Sequence, residues 1–156
     1  MSFFSSPFWL QKTIASSVKC EGVGVHSGKT VSVQLHPGEA HSGIVFVRQT
    51  EDGKQHKIPA RWDYVSDGKM CTTLSLPQKE GQQGPIILKT VEHLMAALTG
   101  CGIDNVLIEV DAEEMPILDG SAAPFVALIE KAGLVSFSAP SKRIRVLDRK
   151  STRLNS

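Results

Sequence analysis

Hydrophobic and polar positions alternate through the first ninety residues, and then the period changes. Thr30 to His36 sets Val31, Val33 and Leu35 on one side and Ser32 and Gln34 on the other, the period-two signature of a half-buried antiparallel strand. Ile14 to Cys20 alternates more loosely, and Gly43 to Arg48 carries the short apolar run Ile44, Val45, Phe46, Val47. Ile58, Ala60, Trp62 and Tyr64 share one parity and predict a further strand, while Thr72 to Leu76 and Ile86 to Leu88 predict two short ones. Ser27-Gly28, Pro37-Gly38, Asp52-Gly53, Asp67-Gly68 and Gly84-Pro85 separate these runs with turn chemistry.

From Thr90 the apolar residues fall at Val91, Leu94, Met95 and Leu98, the i, i+3, i+4, i+7 spacing of a helix face. Thr90 is the expected N-cap, Glu92 complements the helix dipole, and Gly100 with Gly102 stops the helix. Asn105 to Val110 predicts a strand with Val106, Ile108 and Val110 inward. A second helix is expected after Ser121 as N-cap, with Pro124 in its first turn, a stripe of Phe125, Leu128, Ile129 and Ala132, and Gly133 as terminator. Arg143 to Val146 is expected to close the sheet. These elements predict an α+β fold: a two-layer β-α-α-β sandwich, mostly antiparallel, with two helices on one face.

Length and composition narrow the class. The 156 residues, 41% hydrophobic and 21% charged, suit one ordinary domain and exclude a disordered or fibrous chain. Residues 1–140 carry 11 Lys/Arg against 15 Asp/Glu, and residues 141–156 carry 6 against 1. A mildly acidic body speaks against nucleic acid as a partner, because that role needs a basic stripe on a folded face. Cys20, Cys71 and Cys101 are an odd number at wide spacing, which suggests free thiols in a reducing compartment. No apolar stretch approaches the roughly 18–20 residues of a membrane span, and a cytoplasmic location is expected. Residues 1–11 are expected to be an extension, 12–147 the domain, and 148–156 a tail foreign to it.

Candidate chemistry starts at Thr90-Val-Glu-His-Leu94. At about 100° per residue the apolar stripe centres near Val91 and Leu98, leaving His93 about 150° and Glu92 about 110° away. Both are expected to face away from the domain core, with Ala96 and Ala97 beside His93 leaving room for another body. A His and a Glu on such a face resemble half a metal site, the His as ligand and the Glu as base. An adjacent Glu-His on a solvated helix face is also commonplace. No H-E-x-x-H or H-x-x-E-H is present, and no histidine is followed four residues later by Asp. Met115 to Phe125 has two readings: Asp119-Gly120 as a tight turn with Ser121 as cap, or Asp119 beside a site with helix-start N–H groups towards an anion. His26 in Gly22-Val-Gly-Val-His-Ser-Gly28 is either a chance residue of a hairpin end or part of a site. Cys71, beside Met70, is either a reactive thiol or a buried strand cysteine.

Gly22 to Gly28, Thr90 to Leu94, Gly102-Ile-Asp-Asn105 and Pro116 to Phe125 occur together in this order. Together they resemble the N-terminal half of the UDP-3-O-acyl-N-acetylglucosamine deacetylases, the zinc enzymes of the committed step in lipid A synthesis. The resemblance runs from about Lys12 to Val146. It implies a cytoplasmic, two-domain protein, monomeric at full length, with its site in the cleft between domains. It also implies a UDP-sugar lipid as substrate and Zn2+ as cofactor.

By motif, Glu92 is implied as the general base and His93 as one of three zinc ligands. Met70, Cys71 and His26 are implied to contact substrate, and Asp119 with Ser121 to stand close by in support. In that chemistry zinc polarises the acetamide carbonyl and activates its water, Glu92 takes the proton, and acetate leaves a free amine. The H-x-x-x-D pair implied to complete the zinc site is absent from this sequence, so the resemblance implies half an enzyme, inactive alone. The rival expectation is a stand-alone, non-catalytic domain that dimerises or binds a partner through the face around His93.

Overall fold

The computed structural model describes residues 10–78 and 84–142. Strands run at Leu10–Ile14 (β1), Val18–Val23 (β2), Thr30–Pro37 (β3), Ile44–Gln49 (β4), Gln55–Pro59 (β5), Val65–Asp67 (β6), Thr73–Leu76 (β7) and Ile86–Leu88 (β8). Helix Glu92–Gly100 (α1), strand Val106–Val110 (β9), helix Ala123–Ala132 (α2) and strand Leu134–Pro140 (β10) follow. The fold is α+β with mostly antiparallel sheets, as the change of period predicts.

The central sheet has the order β2-β3-β9-β4-β5 and is antiparallel at every pairing except β4 with β9. Its register explains the core. Leu35 lies opposite Ile108, Ile108 beside Phe46, and Phe46 opposite Ile58, so one row of fully buried side chains crosses four strands. Burying each such side chain contributes about 1.5–3 kcal/mol. Leu94 and Leu98 of α1 and Phe125 and Ile129 of α2 join the same core, and α2 lies against both α1 and β2. A two-stranded sheet (β1-β10) and a three-stranded one (β6-β7-β8) complete the fold. Among the described residues, no helix is long and apolar enough to cross a membrane.

Several expectations need correction. The loose run Ile14 to Cys20 is two strands: β1 pairs with β10 and β2 with β3, and the chain bends at Ala15-Ser16 between them, where Ser16 Oγ–H donates to the Ala132 carbonyl. The parity run from Ile58 stops at Pro59. Trp62–Tyr64 forms a 3-10 turn, and Trp62 is 86% exposed. Pro59 lacks the N–H a continuing ladder needs, and the Tyr64 N–H closes back onto Arg61. Ala97 is 1% exposed, not outward, because α2 covers α1 from a second side. The strand after α2 is β10, directly beyond Gly133. The expected strand at Arg143 to Val146 lies outside the described residues, as does the tail. β1 begins at Leu10, and Gln11 is already buried.

Both expected caps are displaced by the geometry. Thr90 sits two residues before α1 with φ +61°, and its hydroxyl bonds elsewhere. Ser121 stands one residue outside the cap position of α2, which Ala122 occupies. Its Oγ still accepts the Ala123 N–H at 3.1 Å, so an orphan donor of the helix start is satisfied.

Candidate functional site

The first turn of α1 carries Glu92 and His93, both half-buried. Glu92 Oε2 accepts the Thr72 N–H at 3.0 Å, and the Val91 N–H points to the Thr72 carbonyl at 3.4 Å. Helix start and the segment leading into β7 are therefore laced together. That lacing puts Cys71 beside Glu92 in the fold, although the two are 21 positions apart in the chain. The half-buried Cys71 has its Sγ 3.7 Å from Thr73 Oγ1, and Met70 is 83% exposed.

The loop that leads into α2 lies within electrostatic reach of His93. Asp119 Oδ1 accepts the Ser121 N–H at 2.9 Å and its hydroxyl at 2.8 Å. These bonds, the backbone one first, hold the Asp119 carboxyl below its ordinary value, and His93 adds a smaller electrostatic contribution in the same direction. The turn reading and the site reading of this segment are thus compatible. Asp119 is tied into its own turn while lying within electrostatic reach of His93.

His26 reaches the same region through a residue that sequence reasoning passed over. Glu114, 2% exposed, accepts the N–H groups of His26 at 3.0 Å and Ser27 at 2.9 Å. It also accepts the Thr90 hydroxyl at 3.2 Å. Burial is the largest influence on the Glu114 carboxyl and pushes it up. The His26 and Ser27 N–H groups with the Ser27 and Thr90 hydroxyls outweigh it and bring the carboxyl below its ordinary value. The only sequence signal was the pair Glu113-Glu114 in front of an apolar Met-Pro. The two part company in the fold: Glu113 Oε1 takes the Arg48 guanidinium at 2.7 Å, and Glu114 turns inward.

Three of the four co-linear segments therefore meet: Glu114 joins the His26 loop to Thr90 at the start of α1, and the run from Pro116 to Phe125 reaches that loop through the Ile117 N–H, which bonds the Val23 carbonyl at 2.9 Å. The fourth, Gly102 to Asn105, does structural work at the opposite end of β9. Asp104 accepts the Lys12 N–H and the Ser141 hydroxyl, and Asn105 bridges Gly43 and Gln11. An open cleft of about 950 Å³ lies on the far side of the His26 loop, sharing Ser27 and Glu114 as wall but not touching Glu92 or His93.

Among the described residues no three His, Cys, Asp or Glu side chains come together as a metal site. His93 offers one imidazole, and Asp119, within its electrostatic reach, is committed to Ser121. These residues do not by themselves fit a zinc ion, which takes three or four protein ligands.

Comparison with known proteins adds the family. Residues 11–155 match the model of the UDP-3-O-acyl N-acetylglycosamine deacetylase family (LpxC). A protein of Anaeromyxobacter sp. (strain Fw109-5) named UDP-3-O-acyl-N-acetylglucosamine deacetylase is 49% identical over 81% of this chain and 38% of its own length. Proteins of the same name from Chromohalobacter salexigens and Shewanella oneidensis are each 46% identical over 87% of this chain and 42% of theirs. The chain spans about two fifths of the length of the curated relatives it matches. With the family model matched along nearly the whole chain and these relatives 46–49% identical over more than four fifths of it, the chain belongs to the UDP-3-O-acyl N-acetylglycosamine deacetylase family.

Proposed function

We propose that this chain is the N-terminal portion of a zinc-dependent deacetylase that hydrolyses the acetamide of UDP-3-O-acyl-N-acetylglucosamine in lipid A biosynthesis. The observation that carries the proposal is the first turn of α1, where Glu92 and His93 stand side by side and the Glu92 carboxylate is held by the Thr72 N–H. A carboxylate fixed in place by a backbone donor suits a general base, because its lone pairs are aimed before substrate arrives. Glu92 takes the proton of the attacking water, while Met70, Cys71 and His26 contact the substrate.

His93 supplies one zinc ligand, and the remaining donors come from chain beyond the described residues. This chain alone is inactive for the same reason. The complete protein works as a cytoplasmic monomer.

The test extends the chain to the length of its relatives and measures acetate release. Glu92→Ala is expected to lower kcat by at least about 100-fold with zinc still bound, the order of general-base catalysis. A variant within a few-fold of the parent removes Glu92 from that role.

A second reading, a stand-alone domain that docks through this face, draws on the exposure of Val23, Val25 and Met70. Concentration-dependent dimerisation of the chain, with no acetate release from the extended form, would favour it.

A further inference from the structure

We propose that Glu114 is a positioning residue: its buried carboxylate locks the His26 loop to the start of α1 and so sets Glu92 and His93 relative to His26. This rests on reading that site as the deacetylase site. Glu114 does not touch Glu92 or His93 by any hydrogen bond shown, and acts through its neighbours.

The carboxylate is bonded to residues far apart in the chain. His26 and Ser27 lie 88 and 87 positions before it, and Thr90 lies 24 before it. Burying a charge is costly unless donors surround it. Here the His26 and Ser27 N–H groups and the Ser27 and Thr90 hydroxyls do so. The fit is close: a Cβ on Gly24 would stand 2.5 Å from Glu114 Oε2 and would collide with Ser27 Oγ as well. Only a glycine lets the loop wrap this tightly.

On the other side, Thr90 holds a left-handed backbone at φ +61°, which a β-branched residue keeps only where its surroundings impose it. Two constraints impose it. The Lys89 N–H bonds the Glu113 carbonyl at 2.8 Å and the Met115 N–H bonds the Lys89 carbonyl at 2.9 Å, and the Thr90 hydroxyl bonds Glu114. The chain leaves Thr90 directly into the turn bearing Glu92 and His93, so the Thr90 conformation aims that turn. A carboxylate suits the place because it only accepts, whereas an amide would turn its NH2 towards an N–H donor.

The test compares Glu114→Gln with the parent in two measurements. In the 156-residue chain, amide exchange read by NMR is expected to quicken at least about tenfold at His26, Ser27 and Thr72. At Val33 and Ile108 in the central sheet it is expected to stay within about twofold. Thr72 matters most, since its N–H is held by Glu92 and reports movement of the helix start. Uniform acceleration, or none at these three amides, overturns the proposal.

In the chain extended to the length of its relatives, kcat for acetate release is expected to fall at least about tenfold with KM within about threefold. An unchanged kcat overturns the proposal. Should Glu114→Gln not fold, Thr90→Val is expected to reproduce both effects and Thr90→Ser to restore the parent values. Identical behaviour of the two Thr90 variants overturns it. If the extended parent releases no acetate, the deacetylase reading fails, and the exchange measurement still decides the role of Glu114.

Discussion

Gly24 and Glu114 show how much one position can demand of another far away in the chain. Gly24→Ala forces the new Cβ against the Glu114 carboxylate, and the loss of at least one charge-assisted hydrogen bond is expected to destabilise the chain by about 2–4 kcal/mol. Urea unfolding would measure it, and a change under about 0.5 kcal/mol would contradict the tight wrap. Acid should act on the same group. Because the folded Glu114 carboxyl lies below its ordinary value, its contribution to stability is present above about pH 4.3 and is lost as the pH falls through the folded value. Protection of the His26 and Ser27 amides, taken relative to their intrinsic exchange rates, is therefore expected to fall as acid protonates Glu114 in the parent and to show no such fall in Glu114→Gln. Glu92 and His93 were legible in the sequence, since 100° per residue already turns them off the apolar stripe. Glu114 was not, because its donors are 87 and 88 positions away and no local spacing encodes them.

Elements were legible where one face is buried and the other wet. β3, β9 and α2 follow their patterns almost residue for residue. β10 escaped because both of its faces are largely open: Leu134 is 47% and Val135 45% exposed, so no alternation marks it. Its start is set by Gly133, which ends α2 at φ +73° and ψ 168° and whose carbonyl accepts the Ala15 N–H at 2.9 Å. Gly133→Ala would place a side chain in a backbone region that glycine alone adopts easily, and a loss of about 1–3 kcal/mol is expected in thermal or urea unfolding. Trp62 gives the opposite expectation. At 86% exposed in its 3-10 turn it contributes little to the core, so Trp62→Ala should change stability by under about 0.5 kcal/mol. A loss above about 2 kcal/mol would show that the predicted strand, not the turn, describes this segment in solution.

Over its full length, the chain spans about two fifths of its curated relatives and brings the His26 loop to the start of α1 through Glu114. The 156-residue chain is expected to keep well below one zinc per chain after dialysis, since a single imidazole cannot hold the ion against buffer. The extended chain is expected to keep about one, and to lose it on His93→Ala; metal analysis checks both. Stoichiometric zinc in the short chain would reveal donors that the described residues do not show.

The α+β class, most strands, both helices, and the standing of Glu92 beside His93 on one turn can be read from the pattern of residues. Those features follow from periods of two and 3.6 residues, which are local. Packing of the folded chain is what covers Ala97, makes Thr90 lead into a helix instead of capping it, and sets Cys71 beside Glu92. The same packing lets one inward carboxylate join the His26 loop to the helix start. Each depends on segments brought together across the chain by burial of a shared core, and long-range burial leaves no mark in local spacing.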